Sequence, residues 1–494
     1  MQTNNSLLTF RLRPSARYHR LPSGKALLVL RFPLRVVFIH ALWHPVLTCL
    51  EDGAVVTLER IAEVVPHMPP DQIELLLNTL VKRGYVAREG FPLLDDAEYP
   101  SVSVIVPVRN RPAEITACLR SLTRLDYPAE KLEIIVVDDA SDDATPETAA
   151  RFSEVRLLRM QKHRQASFCR NRGAEAARGD ILAFIDSDCL ADPTWLKELA
   201  PAFRDSSLGA LGGWVDAACE ENDLDRYEKV KSALKIGAWF KRSEQAERFF
   251  YVPACNFLVR KAAFLSLGGF RETLHVGEDV DFCWRLQDEG SILEYRPMGR
   301  VSHKHRNRLA AFCARRFDYG TSEPMLQQLH TGRVKTLYLP GSESFFWLAV
   351  VLAIVLKSAL PLLLGAGLFL ADGMKKHGKL KTRRIPVTRC QVFTAILRGY
   401  LSFVYHCCSF ISRYYLVVVP VVLLFSPLTA AVIFGMHLTA GIVEYAVKRP
   451  RLSPLSFLLF FTLEQASYQS GVWWACIHRV YFHPLLPRIV HKRI

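Results

Sequence analysis

No C-x-x-C pair occurs among the 12 cysteines, and only Cys407 and Cys408 are adjacent. Such scatter argues against a structural zinc site and a disulfide framework, and fits a reducing compartment. An apolar leader is also missing. Met1 to Ser6 is polar, no signal peptide is read there, and the catalytic part is expected to stay in the cytoplasm. The formal net charge is +15, yet no recognised DNA- or RNA-binding motif accompanies it, so nucleic acid is not an expected partner. The basic residues instead cluster at Lys375-Lys376, Lys379 to Arg384 and Lys448 to Arg451, beside apolar stretches. Positive charge in that setting belongs on the cytoplasmic side of a membrane, where it meets anionic lipid.

What is present is size and apolar character. The chain has 494 residues, half of them hydrophobic, with the excess gathered toward the C-terminus. The pattern predicts four parts: a small unit over 1–90, a linker over 91–100, an α/β domain over 101–335 and a membrane-associated helical region over 336–494. In the first, residues 1 to 24 are Arg-rich and expected to be extended. Two short strands follow within Ala26 to Phe38, joined near Arg31 to Pro33, then helices over His40 to Leu50, from a Thr57 cap to Val65, and from Pro70 to Gly84. Tyr85 to Ala87 is expected as a closing strand. Two strands, three helices and a wing make a winged-helix-like α+β unit that could bind DNA or peptide, or pad a larger enzyme.

After the acidic, Pro-bounded linker the period becomes strand, helix, strand. Strands are predicted at Val102–Val108, Glu133–Val137, Val155–Leu158 and Ile181–Ile185, with helices at Pro112–Leu122, Pro146–Phe152 and Ser167–Ala177. Alternation of this kind predicts a doubly wound parallel sheet. Further on, Gly212 to Trp214 and Tyr251 to Val259 are expected on strands, and Lys261 to Leu267 on a helix.

Ligands of open α/β sheets bind at the carboxyl edge, and the acidic residues gather there. Asp186-Ser187-Asp188 closes the strand at 181–185, and two aspartates one residue apart can point oxygens at one hard cation. Turn formation and helix capping are the rival uses of such a tripeptide. Asp138-Asp139 ends the second strand, Pro107 to Asn110 the first, and Arg164 to Gly173 brings cationic groups to the same edge. Glu278-Asp279 opens a predicted helix, where capping against the dipole is the alternative use.

The order and spacing of these strand ends resemble the inverting family-two glycosyltransferases of GT-A fold, over about residues 100–330. The resemblance implies a Rossmann-like nucleotide-diphospho-sugar transferase domain. Pro107, Arg109, Asp138 and Asp139 would hold the nucleoside, a carboxylate accepting the uracil N–H. Arg164 or Arg170 would neutralise the diphosphate. Asp186 would reach ribose or donor sugar. Asp188 would ligate a divalent metal, Mn2+ or Mg2+, that stabilises the leaving nucleoside diphosphate. Asp279 would be the catalytic base, with Glu278 as the alternative. His303 or His305 would add a metal or diphosphate ligand, with a solvated His in a basic loop as the rival use; of the two, His303, directly after a predicted strand end, is favoured.

Arg315 to Glu323, read Arg-Arg-Phe-Asp-Tyr-Gly-Thr-Ser-Glu, departs from the Gln-x-x-Arg-Trp signature of processive synthases. It resembles mycofactocin-system glycosyltransferases, whose front unit is similar to the peptide chaperone of pyrroloquinoline quinone biosynthesis. That family implies a UDP-sugar donor, most often UDP-glucose, a peptide-derived redox-cofactor precursor as acceptor, and a peptide or maturation protein at the front unit. Transfer to a membrane lipid or polysaccharide is a second reading, and a non-catalytic peptide-binding scaffold a third. From Phe346 to Leu370, Tyr415 to Val443 and Leu455 to Cys476 the chain is apolar. One or two of these are expected to span a bilayer, with Glu464 and Gln465 weakening the third. Interfacial helices are the alternative.

Overall fold

The computed structural model describes residues 9–21, 24–31, 34–90, 94–244 and 249–491. The first eight residues of the lead-in, the tip of the turn at 22–23, the junction at 32–33 and the linker start at 91–93 lie outside the described residues.

Strand Val102–Val108 is buried at every position, which is why its sequence is a near-continuous apolar run rather than an alternating one. It pairs in parallel with Leu132–Asp138 on one side and Ile181–Phe184 on the other, and Val155–Arg159 extends the parallel half. Helix Pro112–Leu122 starts on a proline whose missing N–H costs nothing in the first turn, and buries Ile115, Cys118, Leu119 and Leu122. Helix Ala166–Ala176 covers the opposite face.

The sheet is not wholly parallel. Among the described residues it has eight strands, and Phe257–Arg260 runs antiparallel to both Ile181–Phe184 and Leu208–Gly212. Local alternation cannot show this reversal, because strand direction is set by how the long 185–257 connection returns. The expected strand at Tyr251–Val259 is shorter than its apolar length, since Pro253 has no N–H for a ladder and a 3-10 turn occupies Ala254–Asn256. Gly212 ends its strand, leaving Gly213 and Trp214 in the loop before Val215–Ala217.

A second, three-stranded sheet matters more for chemistry. Val301–His303 pairs with Cys189–Ala191 in a register that sets His303 opposite Cys189, and so beside Asp188.

In the front unit the lead-in is not merely extended. Thr9–Leu12 pairs with Val56–Thr57 and Val86–Glu89, while Ala16–Arg20 joins Ala26–Arg31 and Leu34–Ile39 in a second sheet. The helix expected over 40–50 is shorter, His44–Cys49 behind a 3-10 turn. Thr57 caps Leu58–Val64 by accepting from the Arg60 N–H, and Pro70–Lys82 follows.

The C-terminal apolar runs are broken. Phe346 to Leu370 divides into Gly341–Val355 and Leu360–Thr382, with Lys357 at φ 47° in the turn between them. Tyr415 to Val443 divides at Ser426 into Val419–Phe425 and Pro427–Lys448, each with a proline in its first turn. Among the described residues only Pro427–Lys448 is by itself long and apolar enough to cross a membrane; Arg389–Tyr414 with Leu416–Phe425 reaches that length only as a pair bent by 57°. Helix Pro454–Arg479 instead buries Phe457, Phe461, Gln465, Gln469 and Val472, and lies along helix Leu309–Leu329. Gly320 and Gly471 make this contact close: a methyl group on either would overlap the facing backbone, at Tyr468 and Phe317 respectively. Gly471→Val is therefore expected to destabilise the chain by roughly 1–3 kcal/mol or more. Thermal unfolding followed by tryptophan fluorescence checks this; an unchanged midpoint would mean that the two helices do not meet there.

Candidate active site

Three parallel strands and the small sheet deliver their C-terminal ends to one cavity of about 370 Å³. Pro107 and Arg109 come from the first strand end, Asp139 from the second, and Asp186 and Asp188 from the third. Arg170, Glu278, His303 and His305 complete the wall with Arg111, His163, Arg306, Arg315, Arg316 and Tyr319.

Asp139 is held rather than free. It accepts from the backbone N–H groups of Arg164 (2.7 Å) and Gln165 (2.9 Å) and pairs with His163 Nδ1 at 2.7 Å. Two of the residues predicted to hold the nucleotide do not line the cavity. Asp138 lies beneath, fully buried, accepting from the Ser141 N–H at 3.2 Å. Arg164 contributes its backbone, while its guanidinium sits 5.2 Å from the centre of the Phe168 ring.

Arg170 is buried and bridges two carboxylates, Asp186 Oδ1 at 2.5 Å and Glu278 Oε1 at 2.8 Å. Its charge therefore organises the acidic groups before any ligand arrives. Burial alone would raise the pKa of Asp186, but Arg170 and then His303 hold it below the ordinary carboxylate value. Asp188 forms an ion pair with Arg111 through Oδ2 and faces His303 Nε2 across 3.5 Å through Oδ1.

Glu278 and Asp279 open helix Glu278–Asp288 directly after Gly277, whose φ of 84° only glycine adopts without strain. Asp279 does not line the nucleotide-sized cavity. It lines an adjoining one of about 360 Å³, which shares Arg170, Asp186, Glu278, Arg315 and Tyr319 with the first. Its Oδ2 accepts from the Ala254 N–H at 3.2 Å. Burial, reinforced by the neighbouring Glu278 charge, pushes its pKa up to about 7. A carboxyl poised there exchanges a proton near neutral pH, as a general base must.

Several residues here were not singled out from sequence. Arg111 follows Arg109 by two positions at the same strand end, a signal that was available. Arg315 and Tyr319 belong to the Arg-Arg-Phe-Asp-Tyr run, whose distinctiveness was visible but whose role was not. Arg316 bridges Glu228 (2.8 and 3.0 Å) and Glu464 (3.1 Å), joining helices Asp223–Lys231, Leu309–Leu329 and Pro454–Arg479. No local pattern announces a triad drawn from positions so far apart.

Residues 103–268 match the sequence model of Glycosyl transferase family 2, and the mixed sheet has the GT-A arrangement. The chain is a glycosyltransferase, and its residues 103–268 carry the family 2 match. It is 27% identical over 400 residues to the pre-mycofactocin glycosyltransferase of Mycobacterium tuberculosis, spanning 78% of this chain and 82% of that one. Glycosyltransferase AglE of Haloferax volcanii is 31% identical over 203 residues, 40% of this chain and 64% of its own. Among solved structures, a mannosyltransferase from Pyrobaculum calidifontis covers 70% of this chain and 97% of its own at a TM-score of 0.39 and 21% identity.

Proposed function

We propose that the chain moves a hexose, glucose in the first instance, from a UDP-sugar to a pre-mycofactocin acceptor by one displacement that inverts the anomeric carbon. The acceptor comes from the likeness to the mycobacterial enzyme over most of both chains. The observation that carries the chemistry is the placement of Asp279: a carboxyl with a pKa near neutrality, in a second cavity that opens onto the first through Arg170, Asp186 and Glu278.

Donor and acceptor then enter from opposite sides of Glu278. Pro107, Arg109 and Asp139 flank the nucleoside, with Asp138 supporting the strand end beneath. Asp186 orients ribose or donor sugar, and Arg315 supplies charge toward the diphosphate. Asp279 takes the proton from the acceptor hydroxyl as its oxygen attacks.

The donor set for a divalent cation is Asp188 with His303. Asp188 Oδ1 and His303 face each other, and the buried Nδ1 of His303 has no hydrogen-bond partner. Cys189 lies within the same group, and the carboxylate and imidazole are its harder donors, the ones a hard cation prefers. Such a set suits Mn2+ or Mg2+. When bound, the cation would stabilise negative charge on the departing diphosphate.

Membrane association is part of the reading. Helix Pro427–Lys448 and the exposed apolar residues of Gly341–Val355 lie in the same region as the basic run from Lys375 to Arg384.

The experiment is mass spectrometry of the full chain incubated with Mn2+, UDP-glucose and pre-mycofactocin. Hexose addition that disappears on chelation is the expected result. UDP release with the acceptor unmodified would replace the acceptor, with lipid tested next. Neither product nor UDP, across several nucleotide sugars, would overturn the assignment.

A further inference from the structure

A cavity of about 380 Å³ lies between the front unit and the transferase domain and shares no residue with the two cavities described above. One wall is the sheet of Thr9–Leu12 and Val86–Glu89. Phe10 and Leu12 point into the core of the front unit, so the alternation of the strand turns Arg11, and Arg13 just beyond it, toward the cavity. The facing wall belongs to the transferase domain: Trp214, Trp239, and Arg296 to Met298 after strand Ile292–Tyr295. Phe240 packs against the front unit's core, and the Tyr295 hydroxyl donates to the Gly237 carbonyl at 2.6 Å, which ties the segment carrying Trp239 to both walls.

Most cations on these walls have partners. Arg11 is paired with Glu89, Arg296 gives Nε and Nη2 to Glu294 at 3.1 and 3.0 Å, and Arg88 donates to Asn78 Oδ1 at 3.2 Å. Arg13 has none: among the described residues its side chain forms no ion pair and no hydrogen bond, and its Nε is enclosed without an acceptor. Burial lowers its pKa, as expected of a cation taken out of water with nothing put in the water's place. Its guanidinium lies 3.7 Å from the centre of the Trp239 ring. That contact holds the fork by one face and leaves its terminal nitrogens, which donate to no protein group, for a ligand.

We infer that this inter-unit cavity binds a small organic acid, whose carboxylate is held by Arg13 and whose apolar body lies against Trp214, Trp239 and Met298. A carboxylate accepts two parallel N–H···O bonds from a guanidinium and supplies the single negative charge that Arg13 lacks. A phosphate dianion would bring one charge more than that guanidinium cancels. The volume and the mixture of apolar wall with one convergent charge are those of a small-molecule site. Because both units line the cavity, the ligand clips the front unit to the transferase domain and stabilises their docking in proportion to its occupancy.

The probe is 3-phenylpropionate, titrated by calorimetry into the full chain. Its neutral amide, 3-phenylpropanamide, keeps the body and loses the charge, and should bind about tenfold more weakly or worse. Arg13→Met should weaken the acid by about tenfold or more and leave the amide nearly unchanged. Arg13→Lys keeps the charge without the fork; it should bind the acid less tightly than wild type and still prefer it to the amide, which guards against a Met variant that fails to fold. Ala238→Trp fills the cavity from its exposed wall and should abolish binding of both compounds. Phenyl phosphate should bind no more tightly than the acid. No binding of the acid by wild type, equal binding of acid and amide, wild-type affinity in Arg13→Met, or a clear preference for the phosphate would each overturn the inference. Binding that survives Ala238→Trp and is displaced by UDP would place the acid in the nucleotide cavity and overturn it as well.

Discussion

Asp279→Asn is expected to lower turnover by about 10³-fold while leaving UDP affinity nearly intact, in line with loss of a general base. The amide keeps an oxygen for the Ala254 N–H that now bonds the carboxylate, so the turn at Gly277 should persist. The wild-type rate should rise with pH through about 7, because only the ionised carboxylate accepts a proton. Stability should move the opposite way. The folded pKa is raised above the ordinary 3.8, so between that value and about 7 the folded chain holds a proton the unfolded chain has released, and stability falls as pH rises through the window. The variant escapes this cost and should be more stable at neutral pH by on the order of 1–2 kcal/mol, discounted because Asp279 is only partly buried. Initial rates and thermal midpoints at several pH values check both. A flat wild-type profile, or a variant with more than about a tenth of the activity, would remove Asp279 from the role of base.

Asp188→Ala should abolish metal-dependent transfer, with a loss of about 10³-fold or more, equivalent to about 4 kcal/mol. Two interactions disappear together. His303 loses the carboxylate facing it across 3.5 Å, and Arg111 loses its ion-pair partner, so the cavity gains positive charge where a cation should sit. Manganese affinity, read by electron paramagnetic resonance, should fall at least as far as activity, and saturating Mn2+ should not restore the rate. His303→Ala keeps the charge balance with Arg111 and should cost less, about 10- to 100-fold. Full activity in Asp188→Ala, or unchanged Mn2+ binding, would place the metal elsewhere.

Much of the catalytic sheet was legible for a simple reason. A strand buried on both faces must be apolar throughout, and Val102–Val108 is; the polar residues that follow then mark a strand end. Hence Pro107, Asp139, Asp186 and Asp188 could be assembled on one edge before any geometry. Pro112 gave a helix start for an equally local reason. Asp138 and Arg164 show the limit. Each stands beside a cavity-lining residue in the chain, yet only the strand pleat and the turn at Gln165, with φ of 77°, decide which faces the cavity and which turns away.

The C-terminal third was less legible, because hydropathy measures transfer out of water without saying into what. Pro454–Arg479 and Pro427–Lys448 both read as apolar, but the first buries one face from Phe457 to Cys476 against protein, while the second buries only Ala430, His437, Ala440 and Gly441. Gly320 and Gly471 look incidental until the two helices cross.

The sequence by itself determined the fold class, the carboxyl edge and its acidic groups, because these follow from periodicity and from where apolar runs stop. Only the tertiary structure decided the antiparallel strand at Phe257–Arg260, the seat of His303 beside Asp188, the Arg170 bridge and the second cavity lined by both the catalytic sheet and the C-terminal helices. Each of these joins residues tens to hundreds of positions apart, and such partners are chosen by packing of the whole chain rather than by any local preference.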